Sequence, residues 1–245
     1  MKSLKLYLGS IIDNDDVYFE SLLDDDDDFY GQRNDKKVTE EWINDNYKVT
    51  GKLTILKDFT VNCTGSITVN NKSITSLTYG LFKWGRIAQN FYCNICKNLK
   101  TLEGAPERIY GDFCCYNCKN LKTLEGAPKK VGGRFDCRDC KNLMSLEGAS
   151  EYVGIDFWCT GCDGLKTLEG APKEVIGSFS CSHCNNLTSL KGAPEKVGYN
   201  FICDQCNKLT SLEGVPDMIG IGIYCKDCPN LKITASDREK YNIME

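Results

Sequence analysis

The chain restates itself every 22 residues. Cys-x2-Cys pairs fall at 93/96, 115/118, 137/140, 159/162, 181/184, 203/206 and 225/228. Only Cys63 and Cys114, of sixteen cysteines, stand outside these seven pairs. The full unit reads [VI]-x3-F-x-C-x2-C-x2-L-x2-L-x-G-A-P-x2-[VI]. The eleven residues CKNLKTLEGAP at 96–106 recur without change at 118–128. A fixed period of roughly 20–50 residues is the mark of a solenoid. One such unit cannot bury its own apolar stripe. Stacked units bury a continuous core, each touching only its neighbours.

Each framework position keeps its character. The aliphatic opener runs Ile87, Ile109, Val131, Val153, Val175, Val197, Ile219, and the aromatic runs from Phe91 to Phe201 and ends as Ile223. The first leucine runs Leu99 to Leu231; the second runs Leu102 to Leu212 and fails at Thr234. F-x-C alternates as a strand does, with Phe and the first Cys on one face. L-x-G-A-P ends any regular element, because Pro cannot donate to a ladder and Gly permits the turn. The expected coil is a short strand, a bend and a tight extended or 3₁₀ return, with strands of successive coils stacked in parallel.

This order of strand, Cys and leucines resembles a leucine-rich repeat. Phe135 and Cys137 match its two strand apolars and Cys140 its Asn/Cys position; Leu143 comes one residue late, as in the cysteine-containing subtype. The phrase LEGAP-x-x-V-x-G-x-F-x-C also resembles leucine-rich-repeat-like proteins of tailed bacteriophages, over about residues 49–233. The resemblance implies a β-rich solenoid of 22-residue coils with few helices, capped at both ends, and a phage origin. It brings no catalytic residues.

A solenoid needs caps. Residues 52–77 read as degenerate coils, with Ile67 and Val69 standing for Phe and Cys and Ile74 and Leu77 for the leucines. VTEEWINDNY (38–47) has helical spacing, with Thr39 as its N-cap. The expected layout is an acidic arm at 1–37, an N-terminal cap at 38–86, seven coils at 87–233, and a C-terminal cap at 234–245 in which Ile233, Tyr241 and Ile243 cover the last coil. Residues 1–48 carry thirteen acids and six bases, within a chain of net charge −4. The arm includes Asp24, Asp25, Asp26, Asp27 and Asp28. Like charges resist compaction, so the arm reads as solvated, or as an acidic peptide docking on a basic partner. No apolar run reaches the ~20 residues that cross a bilayer, and acids interrupt the N-terminal apolar patch before any cleavage site. A cytoplasmic protein with no membrane contact is expected, in the host cytoplasm if a phage encodes it. The nearly neutral body lacks the basic surface that direct nucleic-acid binding calls for, so none is expected.

Adjacent cysteine pairs spell C-x2-C-x18-C-x2-C, a recognised zinc spacing. Seven pairs, however, cannot all combine into four-cysteine sites, and stacking already explains the period. Free Cys is small and readily buried, and the cytosol disfavours disulfides. Packed thiols with no metal and no cofactor are the reading; a zinc- or thiol-dependent structural or redox module is the alternative.

The residues between framework positions face outward on the strand side and change from coil to coil. Aromatics, aliphatics and charges recur there: Tyr92, Ile95, Tyr116, Asp136, Arg138, Trp158, His183, Ile202, Asp204, Tyr224 and Lys226. Trp, Tyr and Arg mixed with charges match interface hot spots, although strand propensity also favours aromatics. The single histidine has no partnered nucleophile, and no GxGxxG, P-loop, HExxH or GxSxG motif occurs. The expected function is a non-enzymatic protein-binding scaffold, with inhibition of a host defence protein implied by the phage resemblance. Nucleic-acid mimicry by the acidic arm is a further alternative.

Overall fold

Interior positions of the first six coils are closed to water, while Ile219, Cys228 and Leu231 of the last coil are partly buried. Phe135, Cys137 and Leu143 each have 0% exposure, as do their counterparts in the five neighbouring coils. A computed structural model describes residues 33–78 and 82–244; residues 39–245 form one compact unit. The acidic run Asp24–Asp28 lies outside the described residues.

The unit is a β-solenoid with two sheets rather than one. The six Phe-x strands form the middle of a ten-stranded sheet, parallel throughout except where the strand Tyr47–Val49 pairs antiparallel with Ile67–Val69. Phe91, Phe113, Phe135, Phe157, Phe179 and Phe201 stand in register. The aliphatic opener and the residue before it form a second, nine-stranded sheet, with Val131, Val153, Val175 and Val197 in register. The expected extended or 3₁₀ return is therefore partly a strand. The reason is backbone accounting: a return stacked on identical returns pairs with them, as in Gly154 N–H donating to Val131 O at 2.9 Å.

Identical side chains meet across coils. Ring centroids in the phenylalanine file are 6.0, 5.1, 5.0, 5.3 and 5.4 Å apart. Each ring contributes about 1.5–3 kcal/mol by burial and its neighbour about 0.5–1.5 more. In six of the seven pairs the second cysteine donates its S–H to the carbonyl of the first cysteine one coil back, whereas Cys96, in the first pair, donates to Asn94 O. Examples are Cys140 to Cys115 O at 3.3 Å and Cys162 to Cys137 O at 3.2 Å. The CxxC spacing is thus a packing device: it satisfies a buried carbonyl at each bend.

Two polar files and a file of left-handed glycines complete the coil. Asn120 and Asn142 donate to the carbonyls of Lys97 and Lys119 in the preceding coil, at 2.6 and 2.7 Å. Ser145 and Thr123 accept from the amides of Glu147 and Glu125 at the turn into L-E-G. Gly148 sits at φ +86°, where an added Cβ would lie 2.5 Å from Glu125 Cα. Only Gly tolerates both the angle and the approach.

The ends are built from non-repeat elements. Helix α1 (Arg33–Asn46) begins before residue 38, and Thr39 lies inside it, 2% exposed, instead of capping it. Ile43 is fully buried, and Trp42, Tyr47, Phe82, Trp84 and Phe91 interlock at centroid distances of 4.9–6.3 Å. Ile67, Val69, Ile74 and Leu77 occupy core positions, as expected of degenerate coils. At the other end Thr234, where the leucine file fails, is the N-cap of helix α2 (Ala235–Lys240) and forms a capping box with Asp237. Ile233, Tyr241 and Ile243 pack on the last coil, and the strand Ile243–Met244 extends the ten-stranded sheet. No described helix is long and apolar enough to cross a membrane.

Candidate functional site

The outer face of the ten-stranded sheet carries three files of side chains. The first takes the residue after each Phe: Tyr92, Cys114, Asp136, Trp158, Ser180, Ile202 and Tyr224 lie side by side in register. Neighbouring strands are ~4.8 Å apart, so adjacent members touch. The second file holds Asn94, Tyr116, Arg138, Thr160, Ser182, Asp204 and Lys226.

The third file has a backbone identity that composition alone did not disclose. Ile95, Asn117, Asp139, His183, Gln205 and Asp227 lie at φ between 55° and 62°, and Gly161 at φ 73°. All seven occupy the left-handed region, which turns the chain after the strand while the amides of the first six still donate to the next coil, as Asp139 N does to Thr160 O at 2.9 Å. Asn, Asp and Gly are the usual occupants of that region. His183 is exposed in this file, at the rim. Ile95 is the exception: a β-branched residue, 37% exposed, held in a strained conformation.

The files converge on Trp158. Arg134 and Arg138 place their guanidinium carbons 4.1 and 4.6 Å from the centroid of its ring. Each stacked cation contributes about 0.5–1 kcal/mol at an exposed site. Arg138 donates to both carboxylate oxygens of Asp136 at 2.9 and 2.7 Å, which raises its pKa further. Asp136 is only 4% exposed; it acts on the face by fixing Arg138. Arg134 donates from Nε to Asp156 at 3.4 Å. Beside Asp136, the Cys114 thiol is 8% exposed, and burial, followed by the charges of Asp136 and Asp112, pushes its pKa to about 12. It is a poor nucleophile there.

The predicted residues separate into two clusters. Tyr92, Tyr116, Asp136, Arg138 and Trp158 form one, with Ile95 at its edge. Ile202, Asp204, Tyr224 and Lys226 form the other, where Lys226 N donates to Asp204 Oδ1 at 2.7 Å. Between them lies a hydroxyl patch in which Thr160 and Ser180 are 3.0 Å apart and Ser180 and Ser182 3.3 Å.

Arg134 and Asp156 are absent from the residues singled out in the sequence. They occupy the file just before each Phe. There Asn90, Asp112, Asp156 and Ser178 each accept the amide of the next coil at 2.7–3.3 Å. Arg134 alone in that run cannot accept. That departure was visible in the sequence and marks the residue that stacks on Trp158.

The coil bearing Trp158 departs from the repeat in other ways. Ser150 replaces Pro just before it and donates to Pro128 O. Gly161 is the one glycine in the left-handed file. Gly164 interrupts the asparagine file and lies where an added Cβ would sit 2.4 Å from Leu143 O. Among the described residues no group of three or more His, Cys, Asp or Glu side chains is placed to hold a metal ion. Comparison of the chain with protein families, curated proteins and solved structures finds no match.

Proposed function

We propose that the protein is a non-enzymatic scaffold that grips a partner protein through the outer face of its ten-stranded sheet, centred on Trp158. One observation carries this reading. The framework interior repeats from coil to coil, yet the outer face of neighbouring coils gathers Trp158, two stacked guanidinium groups and nearby tyrosines, with Trp158 itself in a coil that departs from the repeat at Gly161 and Gly164. An isolated aromatic on a sheet needs no such bracing. Side chains held in place before binding lose little entropy on binding, and Trp, Tyr and Arg dominate interface energetics. The salt bridges of Arg134 and Arg138 fix the guanidinium planes against the ring, so a partner meets a rigid, mixed aromatic and cationic surface.

The resemblance of the LEGAP repeats to tailed-phage proteins makes a bacterial host protein the proposed partner and inhibition of a defence function the proposed outcome. Affinity purification from the host, with the wild type beside Trp158→Ala and Tyr116→Ala, tests it. A partner retained by the wild type and lost by both variants supports the reading. Equal capture by all three removes this face from the account.

A further inference from the structure

The second leucine of a coil opens the turn L-x-G-A-P, and these turns stack on one another. In the first four coils the leucine amide donates across the stack: Leu102 to Glu125 O, Leu124 to Glu147 O, Leu146 to Glu169 O and Leu168 to Lys191 O, at 2.8–3.0 Å. The turn of the sixth coil, residues 211–217, has no such neighbour. The seventh coil breaks off at Thr234, where the chain enters α2 instead of a further turn. A groove of about 650 Å³ lies between that last turn and α2. Among the described residues the amides of Leu190 and Leu212 donate to no acceptor, although these residues are only 0% and 2% exposed. Leu212 lines the groove. Buried N–H groups in native chains are almost always met by a partner, so an unmet one at a groove calls for a carbonyl.

The groove is acidic. Glu195, Glu213, Asp217 and Asp237 line it, against Lys232 and Lys240. Two of the four carboxylates are engaged: Asp217 pairs with Lys240 at 2.8 Å, and Asp237 accepts from Thr234 in the capping box. Glu195 and Glu213 are exposed and form no ion pair among the described residues. The repeat shows what is missing. The file Glu107, Lys129, Glu151, Lys173, Glu195 alternates in sign, then places Asp217 where a lysine is due. Lys191, the one cation in the file of Glu213, pairs back with Glu169 at 2.9 Å. Like charges on neighbouring coils are unfavourable, and a cation in the groove relieves them. Beside these acids Val215 replaces the alanine of the earlier turns and, with Pro216, gives the groove an apolar strip.

We infer that this groove binds an extended basic peptide segment, which takes the place of the missing seventh turn. A carbonyl of the segment accepts from the Leu212 amide. Its Arg or Lys side chain pairs with Glu195 and Glu213, and its small side chains cover Val215 and Pro216. A free amine or guanidinium would leave the Leu212 donor and the apolar strip unused, so a peptide is the better occupant. The site lies on the turns of the solenoid and shares no residue with the Trp158 face.

Fluorescence anisotropy with labelled Ala-Arg-Ala-Arg-Ala tests this on the full chain, with Ala-Glu-Ala-Glu-Ala and argininamide as comparison ligands. The arginine peptide should bind saturably and the glutamate peptide should not. Glu195→Lys/Glu213→Lys should weaken binding by at least about tenfold, the factor that one charge-assisted contact supplies. The melting temperature should not change, because both side chains are exposed. Amide NMR shifts on titration should centre on Leu212 and Glu213. No saturable binding of the arginine peptide, equal binding of the glutamate peptide, equal affinity for the charge-reversed variant, or shifts centred elsewhere overturns the inference. Argininamide binding as tightly as the peptide would mark a small-cation site and overturns the peptide assignment. Trp158→Ala should bind the peptide as the wild type does, so failure of this site and failure of the Trp158 face are separately readable.

Discussion

Replacing Ile95 by Gly and, separately, by Ala isolates the strain in the left-handed file. Both substitutions remove the same side-chain contacts, so that loss cancels in the comparison. Ala keeps the Cβ that clashes at φ 62°, a cost of about 1–2 kcal/mol for an L-residue. Gly removes it but loses about 0.5–1 kcal/mol more backbone entropy on folding. The net expectation is that Ile95→Gly is more stable than Ile95→Ala by about 0.5–1 kcal/mol. For a chain of this size that corresponds to about 1–4 °C in melting temperature. Thermal and urea unfolding of the two variants, monitored by circular dichroism, measure it. Ala equal to or more stable than Gly would show that position 95 is not held left-handed and would refute the turn geometry assigned to all seven coils. The same pair carries a functional readout. Strain persists where the surroundings or the function hold it in place, and Ile95 borders the Trp158 cluster, so Ile95→Gly should weaken partner binding without a matching loss of stability against Ala.

Other outcomes follow from the interior. Phe135→Ala opens a cavity between the rings of Phe113 and Phe157 and should cost about 3–5 kcal/mol, read by the urea midpoint; a cost below about 1 kcal/mol would contradict the continuous file. Gly148→Ala forces a Cβ against the backbone of the preceding coil at a left-handed φ and should destabilise by at least about 2 kcal/mol; a neutral result would contradict the coil-to-coil contact. Burial raises the thiol pKa values of Cys93, Cys137, Cys159 and Cys203 well above the ordinary 9.0, and that of Cys114 to about 12. A raised folded-state pKa gives stability that is present below 9 and is lost as pH climbs from 9 towards 12, because the unfolded thiols ionise first. The melting temperature should therefore hold near neutrality and fall steeply above pH 9; a flat profile to pH 11 would mean the thiols face water.

Much of this was legible because the repeat is so regular. The 22-residue period, the inward Phe, Cys and Leu, and the degenerate coils at 52–77 could be read from spacing alone, since every coil faces the same packing problem. The second sheet could not. The opener Val153 sits in a two-residue strand, too short for any alternation to declare itself, and it forms only because an identical Val131 lies below it. The second cysteine was legible only through the resemblance, which implies an Asn or Cys that satisfies backbone at the bend; spacing alone does not separate a thiol that caps a carbonyl one coil away from a zinc ligand. Within the site, Trp158 and Arg138 stood out because they vary. Arg134 did not stand out because it precedes Phe135 and so lies outside the stretch between the inward Phe and Cys positions, although its file is acceptor-rich and Arg is the odd member. The start of α1 at Arg33 was missed because Thr39 resembles a cap, while burial at 2% uses it as an interior residue.

Oxidative side-chain footprinting of the protein alone and with its captured partner tests the central claim most directly, because it reports contact without altering a residue. The account predicts protection of Trp158, Tyr116 and Tyr92, with Met144 and Tyr199, exposed by 60% and 51% on other faces, oxidised at unchanged rates. Protection of Met144 or Tyr199 with Trp158 left as reactive as in the free protein would contradict it.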